Sequence, residues 1–139
     1  MLRRFGCTVA CAAAGLSALP AAHAQVCAPD MKDARRAESA AYAVAYRLSP
    51  EKPGVSRHFG MEVVVCAKAG APAAEGLKLD ARMPAHGHGM NYAAKVRALG
   101  GGRFQAEGLM FHMPGRWEFV FDIAAGKTPG RVTHAIDFQ

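Results

Sequence analysis

The feature that most limits what this chain can fold into is a residue-by-residue alternation that recurs in short runs. Trp117, Phe119, Phe121 and Ile123 alternate with Glu118, Val120 and Asp122, and Leu77, Leu79, Ala81 and Met83 alternate with Lys78, Asp80 and Arg82. A period of two places one set of side chains on a buried sheet face and the other in water. The pattern returns at Tyr42, Val44, Tyr46 and Leu48, at Phe59, Met61, Val63 and Val65 with Cys66 on the opposite side, and at Val132, His134, Ile136 and Phe138. Weaker runs lie at Tyr92, Ala94 and Val96 and at residues 104–109. Gly- and Pro-rich stretches at 49–54, 70–76 and 100–102 separate them, and no segment carries a strong helical period. The spacing predicts an all-β domain, a β-sandwich of about seven strands. Residues 28–40 are polar and Ala-containing, and read as a lead-in with at most one helical turn.

The first 24 residues have the three-part organisation of a cleavable secretory signal peptide. Arg3 and Arg4 form a basic start, residues 5–19 are apolar or small, and Ala22-His23-Ala24 is a small-x-small cleavage pattern that leaves Gln25 first in the mature chain. The apolar stretch is too short to span a bilayer. The expected division is therefore a signal peptide at 1–24, a lead-in at 25–40 and the sandwich at 41–139, with no membrane span after cleavage and a periplasmic destination. About 115 residues remain, enough for one independent core. Losing Arg3 and Arg4 lowers the formal charge of +6 to about +4. The remaining basic residues are scattered, and no basic stripe interleaves with stacking aromatics, which argues against a nucleic-acid partner. Cys7 and Cys11 leave with the signal, so Cys27 and Cys66 form an even pair in an oxidising compartment and are expected to be disulfide-bonded.

The chemistry is concentrated in two clusters, Met83-Pro84-Ala85-His86-Gly87-His88-Gly89-Met90 and Met110-Phe111-His112-Met113-Pro114. Imidazole suits copper, and thioether sulfur stabilises Cu(I), so a mixed His/Met set holds copper without a reactive thiolate. Thioethers are poor zinc ligands and would have no role in a zinc site. Gly87 and Gly89 permit positive φ angles that let His86 and His88 converge. Pro84 and Pro114 bias the residues before them toward extended backbone and mark strand ends. The expected ligands are His86, His88, Met90, His112 and Met113, joined by Met83, whose place on an apolar strand face suits core packing as well as ligation. Met110 shares a face with His112 if the segment is extended, and a bulge at Gly108 would shift the register there. His134 reads as a hydrogen-bonded core histidine, His58 as a solvent-exposed loop residue, and Met61 and Trp117 as core.

At these residues the chain resembles a family. The run from Asp80 to Tyr92, DARMPAHGHGMNY, and the run from Arg103 to Glu118, RFQAEGLMFHMPGRWE, are similar to the two halves of the signature of YtkA-like domains. The resemblance covers roughly residues 41–138. It implies an immunoglobulin-like sandwich in exported or membrane-tethered bacterial proteins, related to the FixH-type accessory proteins of copper-containing oxidases. This chain departs from FixH-like members in having no retained transmembrane segment.

Three classes of function compete. The leading one is a periplasmic copper-binding protein, a carrier, chaperone or buffer for Cu(I) or Cu(II) that passes metal to a periplasmic or membrane cuproprotein. The alternative is a non-metal protein-interaction module of an exported or respiratory assembly system. The third is a copper enzyme or electron carrier. Blue-copper transfer needs a Cys thiolate beside two histidines, which neither cluster offers. A histidine brace needs His at the mature N-terminus, where Gln25 is expected. No Ser/His/Asp triad or paired-carboxylate arrangement is readable either, so a non-enzymatic role is expected.

Overall fold

The computed structural model describes residues 26–139. The signal peptide expected at 1–24, with its two cysteines and the cleavage site, lies outside the described residues. Nine strands are present among them: β1 (Arg35–Glu38), β2 (Tyr42–Ser49), β3 (His58–Ala67), β4 (Gly76–Met83), β5 (His88–Gly89), β6 (Lys95–Gly100), β7 (Arg103–Met110), β8 (Gly115–Ala124) and β9 (Gly130–Phe138). They form two antiparallel sheets, one ordered β1-β2-β3-β7-β6 and the other β5-β4-β8-β9. The expected β-sandwich is therefore the fold, with two more strands than the seven counted from alternation.

The core lies between the sheets, where the alternating residues meet. Val44, Tyr46, Met61 and Val63 of the first sheet are fully buried against Phe119, Phe121 and Trp117 of the second. The outer face of the second sheet carries the charged partners of the same strands, paired as Arg82 with Glu118 at 2.6 Å and Arg131 with Asp122 at 2.6 Å. Exposed ion pairs of this kind add little stability, but they keep the outer face polar and so hold the register that buries the inner one.

The residues expected to be a polar lead-in are built into the fold. Cys27, Ala28 and Met31 cover Ala45 and Val64 on the outer face of the first sheet, making a second small core. The Arg36 guanidinium donates to the carbonyls of Ala28 and Met31 at 3.1 and 3.3 Å, and β1 then pairs with β2 at the sheet edge. Four mostly exposed residues, Arg35 to Glu38, carry no hydrophobic alternation, so only the backbone ladder makes them a strand. The expected Cys27–Cys66 disulfide is present, with the Cα atoms 5.7 Å apart and a sequence separation of 39. A disulfide points to an extracytoplasmic protein. Among the described residues no helix is long and apolar enough to cross a membrane.

Another difference lies at the first sheet's opposite edge. The run through Tyr92, Ala94 and Val96 reads as one strand, but β6 begins only at Lys95 and Tyr92 is 49% exposed. An edge strand with both faces largely in water does not enforce alternation, which explains why the pattern overran the element.

His134 of β9 and Tyr46 of β2 tie the two sheets together through a 2.9 Å hydrogen bond between Tyr46 Oη and His134 Nδ1. His134 is thus the satisfied, half-buried histidine expected from the sequence. Burial, and then the Arg35 charge, hold its pKa below the ordinary value. Burial pushes the Tyr46 phenol up to about 12, against the opposing pull of Arg35. A phenol whose folded pKa lies above its unfolded value contributes stability that is complete below about pH 10 and is lost as pH rises toward 12. Denaturant midpoints measured at pH 8 and pH 11 should therefore fall less between the two in Tyr46→Phe than in the wild type. An equal fall in both would show that Tyr46 ionisation does not drive the alkaline loss.

Candidate functional site

The two ligand clusters meet at one end of the sandwich. β4 ends at Met83, and residues 84–87 turn the chain so that β5 pairs back on β4, with Met83 opposite His88 and Arg82 opposite Gly89. The His86 N–H donates to the Met83 carbonyl at 3.1 Å to close the turn, and the Met90 N–H donates to Ala81 at 3.0 Å to extend the pairing. Gly87 has the positive φ expected of it, 64°. Gly89, expected to share that role, is instead an extended residue of β5.

The second cluster reaches the same end through β7, and its orientation depends on a bulge. Met61 pairs with Ala106 and Phe59 with Leu109, so Glu107 and Gly108 together oppose Gly60. Gly108 takes a φ of 82°, which a side-chain-bearing residue rarely adopts. Before the bulge Phe104 and Ala106 face the core; after it Leu109 and Phe111 do. The extra residue reverses the parity of the strand. Met110 and His112 are thereby left on the half-exposed side, and without the bulge they would enter the core in place of Phe111.

Three imidazoles come together at this end. The His88 ring lies 6.2 Å from His86, with planes 22° apart, and 5.9 Å from His112, nearly perpendicular to it. With metal–nitrogen bonds of about 2 Å, two imidazoles on one ion have centroids about 5–6 Å apart, the larger value being reached as the pair approaches a straight line. His86 and His88 are exposed, whereas His112 is half-buried. Its Nδ1 is fully buried and has no hydrogen-bond partner. Leaving such an atom unpaired costs about 1–3 kcal/mol. A buried polar atom ordinarily meets a hydrogen-bonding partner, and His112 Nδ1 has none.

The methionines surround this group at different depths. Met113 and Met90 are half-buried and pack on the edge of the core. Met83 is 2% exposed and belongs to the core itself, beneath the turn. Met110 is half-buried, directly across from His58 on β3. Among the described residues no three His, Cys, Asp or Glu side chains are gathered closely enough to hold a metal ion between them.

Trp117 supports the site in a way the sequence did not show. Its buried ring stacks on Phe111 at 4.6 Å, meets His112 edge-on at 5.3 Å, and its Nε1–H donates to the Met113 carbonyl at 3.0 Å. The residue read as a core anchor thus also seats both ligand candidates of the second cluster. His58 is exposed as expected, but it opens β3 instead of lying in a loop, and the Tyr92 ring stands edge-on to it at 5.2 Å. No local signal announces that pairing, because Tyr92 lies in the connection between β5 and β6, far from β3 in sequence.

No protein-family model matches the chain, and no curated protein matches it. Among solved structures, a DUF4426 family protein from Pseudomonas aeruginosa is similar to it, with 14% identity and a TM-score of 0.50 over 76% of this chain and 94% of that one. At that identity the likeness shows the fold alone.

Proposed function

We propose that the mature protein is a periplasmic copper-binding protein, a carrier or buffer that holds copper on His88 and His112, with His86, Met90 and Met113 around them and Met83 beneath. The observation that carries this reading is the buried, unpartnered Nδ1 of His112 in a ring 5.9 Å from His88. A metal ion would satisfy that nitrogen where no hydrogen-bonding group does. The ligand chemistry supports copper over other ions, because imidazole and thioether together suit Cu(I) and the nitrogens alone suit Cu(II). The resemblance of both motif runs to YtkA-like domains, and the extracytoplasmic setting indicated by the disulfide, agree with it. The exposed turn around Gly87 allows His86 to join or leave the ion, which suits a protein that must release metal as well as bind it. An acceptor cuproprotein in the periplasm or its membrane is the corresponding partner.

Trp117, the only tryptophan in the sequence, provides the test, since its ring lies 5.3 Å from His112. Copper bound at His112 should quench its emission. Competition titrations of Cu(I) and Cu(II) should show His88→Ala/His112→Ala losing affinity for both states, on the order of a hundredfold, given that outer-shell partners alone are worth about 10–100-fold. Met90→Leu/Met113→Leu should weaken mainly Cu(I). Unchanged affinities in both variants, with folding intact, would overturn the copper reading in favour of a protein-interaction surface.

A further inference from the structure

We infer that His58 and Met110 form a second soft-metal station on the same end of the sandwich, beside the imidazole group and separate from it. The inference rests on the copper reading and extends it to residues outside the ligand set above.

The geometry comes from strand pairing. His58 and Met110 are direct partners in the antiparallel register of β3 and β7. Residues so opposed have Cβ atoms about 4.5–5.5 Å apart and project to the same side of the sheet. Their neighbours Phe59 and Leu109 point into the core, so His58 and Met110 project away from it. An imidazole and a thioether at that spacing close on a single ion, because bonds of about 2.0–2.3 Å from nitrogen and sulfur leave room for it between the two side chains. His58 is exposed and Met110 half-buried, so an ion from solvent reaches both. The Tyr92 ring packs edge-to-face with His58, the centroids 5.2 Å apart.

Continuity with the first group gives the pair its use. Met110 and His112 are two residues apart on a run whose burial alternates from Leu109 through His112, which spaces them about 7 Å along the chain. Tyr92 likewise follows Met90 by two residues on the other ligand segment. The two stations thus adjoin along the run from Met110 to His112, and the segment that follows Met90 brings Tyr92 against His58. A two-ligand station at the surface binds more weakly than a site with additional donors, so it serves as the entry and exit point through which Cu(I) reaches the deeper imidazole pair.

The test uses Ag(I), a redox-inert stand-in for Cu(I), with the methionine methyl and histidine ring signals followed by NMR on the mature protein. The wild type should take up about two Ag(I) per chain, with the Met110 methyl and His58 ring signals moving on the second equivalent. His58→Ala, a change at an exposed side chain, should abolish the Met110 shift and leave those of Met90, Met113 and His112. Met110→Leu should abolish the His58 shift in the same way. A Met110 methyl that moves equally in His58→Ala, or that has still not moved once two equivalents of Ag(I) are present, overturns the second station and leaves the copper reading standing. If no histidine or methionine signal moves at all, both fall together.

Discussion

Replacing Trp117 by alanine should cost the domain about 3–5 kcal/mol, the range for removing a fully buried aromatic side chain. Three losses combine at this residue. The cavity left under Phe111 cannot collapse easily, because Phe111 also packs on Phe59, Phe119 and Phe138 at centroid distances of 5.1, 5.6 and 4.9 Å. The Met113 carbonyl loses the indole donor at 3.0 Å. The His112 ring loses the surface it stands against. For a domain of this size the midpoint of thermal unfolding should fall by on the order of 15 °C. Trp117→Phe separates the parts: it keeps most of the apolar volume and removes the hydrogen bond, so it should cost no more than about 1–2 kcal/mol. The phenylalanine variant should still displace Met113, and its Cu(I) affinity should fall although the fold survives. A native emission maximum typical of a water-exposed indole, or a Trp117→Ala variant as stable as the wild type, would contradict this account.

The parts of the fold that were legible in the sequence are those where both faces of a strand are constrained. β8 declared itself because Trp117, Phe119 and Phe121 are buried while Glu118 and Asp122 meet charged partners across the outer face. β1 and β5 were not legible, since one is four mostly exposed residues and the other two, held by backbone pairing alone. A ladder hydrogen bond leaves no mark on side-chain choice. The candidate site divides in the same way. The composition of each cluster, and the bulge at Gly108 that turns His112 outward, could be read from local residue types. That the two clusters share one end could not, because His88 lies in β5 and His112 in the connection that carries the chain from β7 to β8, and their 5.9 Å approach depends on how the two sheets are stacked. The orphaned His112 nitrogen and the His58–Tyr92 pair belong to that tertiary level as well.

Removing the Cys27–Cys66 cross-link should cost about 4 kcal/mol in the chain-entropy picture, given the 39-residue separation that it closes. Cys27→Ala/Cys66→Ala is the suitable variant, because Cys27 is buried in the small outer core and a serine there would add an unpaired hydroxyl. Two consequences should appear together in denaturant unfolding. The midpoint falls, and the dependence of stability on denaturant steepens, because the uncross-linked denatured chain exposes more surface than the looped one. Hydrogen exchange adds the location. If the bridge only pinned the 26–34 segment, protection would be lost there and nowhere else. Instead, Cys66 lies in β3 beside Val64 and Val65 at the centre of the first sheet, so β1, β2 and β3 should all exchange faster. The ligand end of the sandwich lies at the other end of β3, where His58 begins the strand and Cys66 nears its finish. Copper affinity of the folded variant should consequently stay close to that of the wild type even as its stability drops. Equal stability with and without the bridge, or a loss of protection confined to residues 26–34, would show that the disulfide fastens a surface segment and does not limit the unfolded chain.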